Sequence, residues 1–272
     1  MVMYALGFQP EYEELRAQLS ELKARYAERL AYYAEESEHV KKNLESRYMM
    51  TLGRKEYQLF SAQVEIARLR REVSLYQAAI SHGERANPEE VERILAEEFE
   101  QYRQQLEQHR QEVEVAKAHF LAPKLSEAES KELQKLYRKL VHQLHPDLNP
   151  DLPQQAVEML HRIQEAYRNC NWPEMVLLGD LVQEMLKDDT QESHSEDTME
   201  VLRNQLEKLT EKLAQLEKQI ETLHARPPFS YKKLLEDPEA ISQRRDELDG
   251  QIEMLQEQKE LLLQHLDELR RQ

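Results

Sequence analysis

Apolar residues recur at alternating steps of three and four through most of this 272-residue chain, and this spacing limits the folds open to it. A narrow seam of this kind is buried when long helices pair as coiled coils. Clear examples run through residues 12–26, 59–80 and 202–223. Only 5 residues are Gly and 33% are charged, which favours long helices over strands and tight turns. We therefore predict an all-α fold in which long coiled-coil helices flank a small helical module.

Interruptions of the apolar pattern divide the chain. Asn87 followed by Pro88 predicts a helix start after a break at 81–88, and we expect the new helix to run antiparallel to the preceding one. Pro123 ends that helix, and Ser126 with Glu129 predicts the capping box of the next. The predicted parts are an N-terminal helical or coiled-coil region (1–112), a helical module (113–187), a polar linker (188–197) and a C-terminal antiparallel coiled-coil hairpin (198–272).

Two features of the seams leave alternatives open. Gly53 is compatible with a helix break or with an interior glycine of one long helix. The two C-terminal seams fit pairing within one chain or between copies of the chain, so homo-oligomerisation through coiled coils is a second interpretation. Arg245 and Lys259 fall at core positions of the last seam, where polar residues set register at some cost in stability.

Composition argues against several classes of protein. The net charge of −16 disfavours nucleic acid and anionic membranes as partners, and no apolar run approaches the roughly 20 residues of a membrane span. The single Cys170 excludes a disulfide framework, and we expect a cytoplasmic protein. No phosphate-binding loop or nucleophile motif predicts an enzyme, and no cofactor is expected. His142, His145 and His161 lack a convincing set of further ligands, so no metal site is predicted.

The region 131–169 carries the most specific pattern in the chain. Two amphipathic helical stretches, 131–144 and 156–169, enclose the tripeptide His145-Pro146-Asp147. Pro146 disfavours the α conformation at His145 and so ends the first helix. The apolar face of that helix predicts burial in a small core, and the other face is basic within an acidic chain. The basic face comprises Lys135, Arg138, Lys139 and His142.

This arrangement resembles the J domain of DnaJ-like proteins. The resemblance implies a J-domain co-chaperone that binds a DnaK-type (70 kDa heat-shock) chaperone and stimulates its ATP hydrolysis, without being an enzyme itself. It implies that the basic face meets an acidic surface of the chaperone, and that the loop of His145, Pro146 and Asp147 engages its ATPase domain. The coiled-coil arms would then bind a client, which the sequence does not identify, or associate copies of the chain.

The chain also departs from the family pattern. Leu148 stands where the family usually has a basic residue. The aromatic-rich first helix is not recognisable, and we expect Val113–Leu121 to replace it, with Phe120 and Leu121 as packing residues. These departures support an alternative function, in which the chain is a coiled-coil scaffold or adaptor whose J-like domain no longer activates a chaperone.

Overall fold

The structure is a computed structural model that describes residues 10–188 and 198–271, and these residues form an all-α fold, as predicted. Two π-helical turns, Glu36–Val40 and Met49–Gly53, lie between the first three helices, and a 3-10 turn spans Phe229–Tyr231. The α-helices are α1 (Pro10–Glu35), α2 (Lys41–Tyr48), α3 (Arg54–Ser81), α4 (Pro88–Glu98), α5 (Glu100–Leu121), α6 (Glu127–Leu144), α7 (Gln154–Arg168), α8 (Trp172–Asp188), α9 (Met199–His224), α10 (Lys232–Glu236) and α11 (Pro238–Arg270).

Gly53 is an interior helical residue and not a break. Its φ of −55° and ψ of −35° are ordinary right-handed helical values. It is buried at the end of the second π-helical turn, and a Cβ placed there would lie 2.6 Å from Sδ of Met49. Of the two alternatives for this glycine, the structure therefore shows the continuous helix.

The tertiary contacts divide the chain into two units that are not contiguous in sequence. Of the described residues, those up to Lys42 form one unit with those of Pro123–Pro227, and those of Asn43–Ala122 form the other with those from Pro228 onward. This division differs from the predicted linear order of 1–112, 113–187, 188–197 and 198–272. Of the predicted linker, residues 189–197 lie outside the described residues.

In the first unit, α1 and α9 form a parallel helix pair. Ion pairs join Glu11 to Arg203, Arg25 to Glu217 and Glu36 to His224, so positions that advance along α1 meet positions that advance along α9. The predicted apolar seams of both helices form the buried contact. The seam residues are Tyr12, Leu15, Leu19, Leu22, Tyr26, Leu202, Leu206, Leu209, Leu213, Leu216 and Ile220.

In the second unit, α3 pairs in parallel with α11. The contacts of Lys55 with Asp249 and of Glu65 with Lys259 again advance together along both helices. The predicted antiparallel hairpin over 198–272 is therefore wrong in its pairing, because α9 packs with α1 and α11 packs with α3. A heptad pattern shows that a helix has a seam, but it does not select the partner or its direction when several similar seams are present.

The expected reversal of direction after residues 81–88 is confirmed. Asn87 caps α4 by accepting a hydrogen bond from the backbone N–H of Glu89, and Pro88 occupies the first helical position. The following α5 runs back along the helices before it, with His109 against the ring of Tyr57 and His119 hydrogen-bonded to Ser46 at 3.0 Å. The second unit therefore contains α3 and α11 with α4 and α5 against them.

The core beside the loop that follows α6 is built by α6, α7 and α8 together with the end of α1. Leu140, Leu144 and Ile163 are fully buried there, and the rings of Tyr137 and Tyr167 stack at a centroid distance of 3.9 Å. Leu30, Ala31 and Ala34 of α1 close one side of this core, to which α8 contributes Met175, Leu178 and Val182.

The expected role of Val113–Leu121 as a substitute first helix is therefore wrong. That segment belongs to the second unit, and the side chains of Phe120 and Leu121 are 45% and 67% exposed. Proximity in sequence suggested the segment, but α1 supplies the apolar surface from about 90 residues further upstream. Among the described residues, no helix combines the length and the apolar character that crossing a membrane requires.

Candidate functional site: a loop held between helices

Helix α6 presents the predicted basic face to solvent. Its first turn is fixed by the predicted capping box, in which the Ser126 hydroxyl accepts a hydrogen bond from the N–H of Glu129 and the Glu129 carboxylate accepts one from the N–H of Ser126. The side chains at 135, 138, 139 and 142 recur at helical spacing and are all exposed, whereas the opposite face of α6 is buried against α7 and α8. The structure thus brings Lys135, Arg138, Lys139 and His142 together on one accessible surface.

The loop after α6 is a compact turn with its own hydrogen bonds. The carbonyl of His145 accepts from the N–H groups of Leu148 and Asn149 at 3.0 and 2.9 Å. The Asn149 amide donates to the carbonyls of His142 and Gln143, which a helix end leaves without intrahelical partners. His145 has an extended backbone with φ −72° and ψ 127°, as expected before a proline. The tripeptide therefore sits in a defined conformation at the C-terminal end of the basic face.

His145 is held as a neutral imidazole. The N–H of Asp147 donates to its Nδ1 at 3.2 Å, so that nitrogen must be unprotonated, and the ring contacts Tyr26 edge-on. Burial lowers the pKa of His145 below its ordinary value, and the nearby Lys212 ammonium lowers it further, against the opposing effect of Asp147. The imidazole thus serves as a structural acceptor that sets the turn.

Asp147 is bound by both helices of the α1/α9 pair. The Tyr26 hydroxyl of α1 donates to Oδ2 at 2.9 Å, and the Lys212 ammonium of α9 donates to Oδ1. Burial alone would raise the pKa of the Asp147 carboxyl, but the hydrogen bonds from Lys212 and Tyr26 outweigh it and keep the pKa below its usual value. Burial and the Asp147 carboxylate raise the pKa of Tyr26, which therefore stays a donor. The carboxylate is ionised, and each of its oxygens has a partner.

Leu148 anchors the loop on the same helix pair. Its side chain is fully buried in the apolar cluster of α1 and α9, with Tyr26 and Ala27 of α1 and with leucines of α9. A basic residue at this position would place an unpaired charge in that cluster. Leu148, which departs from the family pattern, is therefore a packing residue that docks the loop on α1 and α9.

Sequence reasoning found the loop and the basic face but missed Tyr26 and Lys212. Tyr26 was assigned only to a seam, and Lys212 belongs to an ordinary charged helix surface. One signal was available, because Leu148 is an apolar residue inside a polar loop and needs a place to be buried. In the part of the chain that the structure describes, no group of three or more His, Cys, Asp or Glu side chains has an arrangement suited to a metal ion.

One comparison with known proteins identifies this segment. Residues 125–174, which span α6, the loop and α7, match the family model of the DnaJ domain. Neither the curated proteins nor the solved structures gave a significant match. The match falls on the residues that carry the resemblance in the sequence, namely the basic helix, the tripeptide and the helix after it. The chain therefore contains a segment, residues 125–174, that matches the DnaJ domain, and this match supports a role of the co-chaperone kind.

Proposed function

We propose that this protein binds a DnaK-type chaperone through the loop of His145, Pro146 and Asp147 and the basic face of α6, and stimulates its ATP hydrolysis. The observation that carries the proposal is that a tripeptide of this kind ends an exposed basic helix face within a segment that matches the DnaJ domain. Four exposed groups that are basic or can become so stand out from a chain of net charge −16, so they favour an acidic partner surface.

The long helix pairs support a second part of the proposal, in which they bind a client or join copies of the chain. Their exposed surfaces are rich in charged residues, and several large apolar side chains on α11 are exposed, such as Met254 and Leu261. We also propose a cytoplasmic location, since the chain has a single cysteine.

A coiled-coil scaffold that does not activate a chaperone is the second candidate. The observation that favours it is the docked loop, in which Leu148 is buried and the oxygens of Asp147 are already paired. In this alternative the DnaJ domain holds the helices together and has no chaperone partner.

Single-turnover ATP hydrolysis by the host's DnaK-type chaperone separates the two candidates. The wild-type protein is expected to raise the rate above the basal level, and His145→Gln is expected to remove the increase. His161→Gln is the matched control, because His161 is an exposed histidine on α7 outside the proposed surface. Equal rates for all three proteins at the basal level, which persist when the loop is freed by substitution of its contacts with α1 and α9, would exclude the co-chaperone and leave the scaffold.

A further inference from the structure

The α1/α9 pair occupies the part of the loop that a chaperone would need. The Asp147 side chain is only 25% exposed, and its carboxylate has Lys212 on one oxygen and Tyr26 on the other. Hydrogen bonds to ionised groups are among the stronger ones in proteins, so a partner cation gains little unless it replaces an existing donor.

Leu148 fixes the loop by a second, independent contact. Since its side chain is fully buried between α1 and α9, the loop cannot swing outward while this residue stays in place. The polar contacts at Asp147 and the apolar contact at Leu148 are made by adjacent residues to the same two helices. Release of the loop therefore requires both to be lost together.

The basic face of α6 is not covered in the same way. Lys135, Lys139 and His142 are exposed, and the face remains accessible while the loop is docked. The two parts of the proposed chaperone surface thus differ. The basic face of α6 is exposed to solvent, whereas Asp147 of the tripeptide is bound to α1 and α9.

Near this point α9 is held on α1 by an exposed ion pair and by the apolar seam. The ion pair of Arg25 with Glu217 has an N–O distance of 3.1 Å, and both side chains are well exposed. Exposed ion pairs of this kind contribute little to stability. The apolar seam carries the pairing, and the loop shares that seam through Leu148.

We propose that the α1/α9 pair is an autoinhibitory clamp on the J domain, and that the chaperone engages the tripeptide only after Lys212, Tyr26 and the Leu148 site release the loop. This inference rests on the proposed function. It assigns a regulatory part to helices outside the segment that matches the DnaJ domain, because both donors to Asp147 come from there.

The test compares chaperone stimulation by the full-length protein and by a variant that combines Lys212→Met with Tyr26→Phe. Both substitutions keep the apolar part of the side chain and remove a donor to Asp147. At equal, subsaturating concentration the variant is expected to stimulate at least about tenfold more than the wild type, because it loses two hydrogen bonds to a charged group and one alone corresponds to about a factor of ten. Lys218→Met is the matched control, since Lys218 is an exposed lysine six residues further along α9.

Leu148→Arg is a second variant that acts from the loop side and does not alter either helix. It is expected to raise stimulation in the same direction, and His145→Gln added to either variant should abolish the gain. Circular dichroism of each protein establishes that the helices are intact.

The outcomes separate failure of the clamp from failure of the proposed function. Wild-type stimulation that His145→Gln abolishes, with both release variants equal to the wild type or weaker, overturns the clamp and leaves the co-chaperone intact. Basal rates for the wild type and all release variants would overturn the proposed function, and the clamp with it.

Discussion

The parallel helix pairs α1/α9 and α3/α11 start from the same heptad pattern but differ in what lies on their seams. The α1/α9 pair is apolar along its length and accepts a third element, the loop with Leu148. Among the described residues, the α1/α9 pair has ion pairs only at the edges of its seam, whereas in the α3/α11 pair charged residues reach seam or buried positions, namely Lys259 with Glu65 and the buried Glu72 with Arg270. A seam that is apolar throughout can accept an inserted side chain, whereas polar seam residues use the same space for pairing and fix the register.

The two pairs are therefore stabilised by different interactions. In the α1/α9 pair, the loop adds buried apolar surface through Leu148, which belongs to neither heptad seam. In α3/α11 the buried carboxylate of Glu72 depends on Arg270, so the pair is sensitive to loss of this arginine.

The largest expected effect comes from truncating Leu148, the loop side chain that packs on the α1/α9 seam. Leu148→Ala removes a fully buried side chain and should lower the free energy of unfolding by about 2–4 kcal/mol. Denaturant unfolding followed by fluorescence of Trp172 measures it, because this sole tryptophan packs against the core of the same unit. Leu177→Ala is the control on the exposed side of α8, with an expected change within about 0.5 kcal/mol. A loss below about 1 kcal/mol for Leu148→Ala would show that the loop is not docked.

A smaller effect is expected from the sensitive position of the α3/α11 pair. Arg270→Met leaves the carboxylate of Glu72 buried without its cation and should cost about 1–2 kcal/mol, since Arg270 itself is about half exposed. Hydrogen exchange of α3 around residue 72 should become faster, and adding Glu72→Gln should recover much of the loss. Arg244→Met breaks an exposed pair with Glu247 on one helix and serves as control. Equal protection of α3 in wild type and Arg270→Met would contradict the assigned role of the pair.

The smallest effect is a change in the titration of His145 that reports loop docking. Because the pKa of His145 is lowered in the folded protein, the unfolded chain binds the proton more readily, and stability rises with pH through the window just below 6.5. The contribution of His145 to the free energy of unfolding is fully present above pH 6.5 and is lost as the pH falls through the lowered pKa of this residue. Imidazole NMR of the wild type should show the lowered value, and Lys212→Met should move it back toward 6.5. Titration at or above 6.5 in the wild type would contradict burial of the loop.

The local features of this molecule could be predicted from sequence because local chemistry determines them. The capping box of Ser126 and Glu129, the start of α4 at Pro88 and the buried face of α6 follow from side chains within a few residues of one another. The family resemblance also lay in a short contiguous stretch, and the DnaJ domain match covers it.

The pairing of helices could not be predicted because it depends on contacts across nearly 200 residues. Glu217 lies 192 positions after Arg25, and its helix could have chosen other seams of the same period. The closure of the loop was missed for the same reason, since Lys212 and Tyr26 meet Asp147 only after α1 and α9 have paired. Whether the seven residues of the proposed chaperone surface bind a chaperone stays a prediction.

The contribution of α1 to the core of α6, α7 and α8 has a consequence for protein engineering. Leu30, Ala31 and Ala34 cover apolar surface that residues 125–174 would expose if they were excised on their own. Residues 125–174 are therefore not expected to fold as an isolated domain. A transplant into another protein would need α1 supplied alongside it, in trans or through a redesigned linker, to remain soluble and folded.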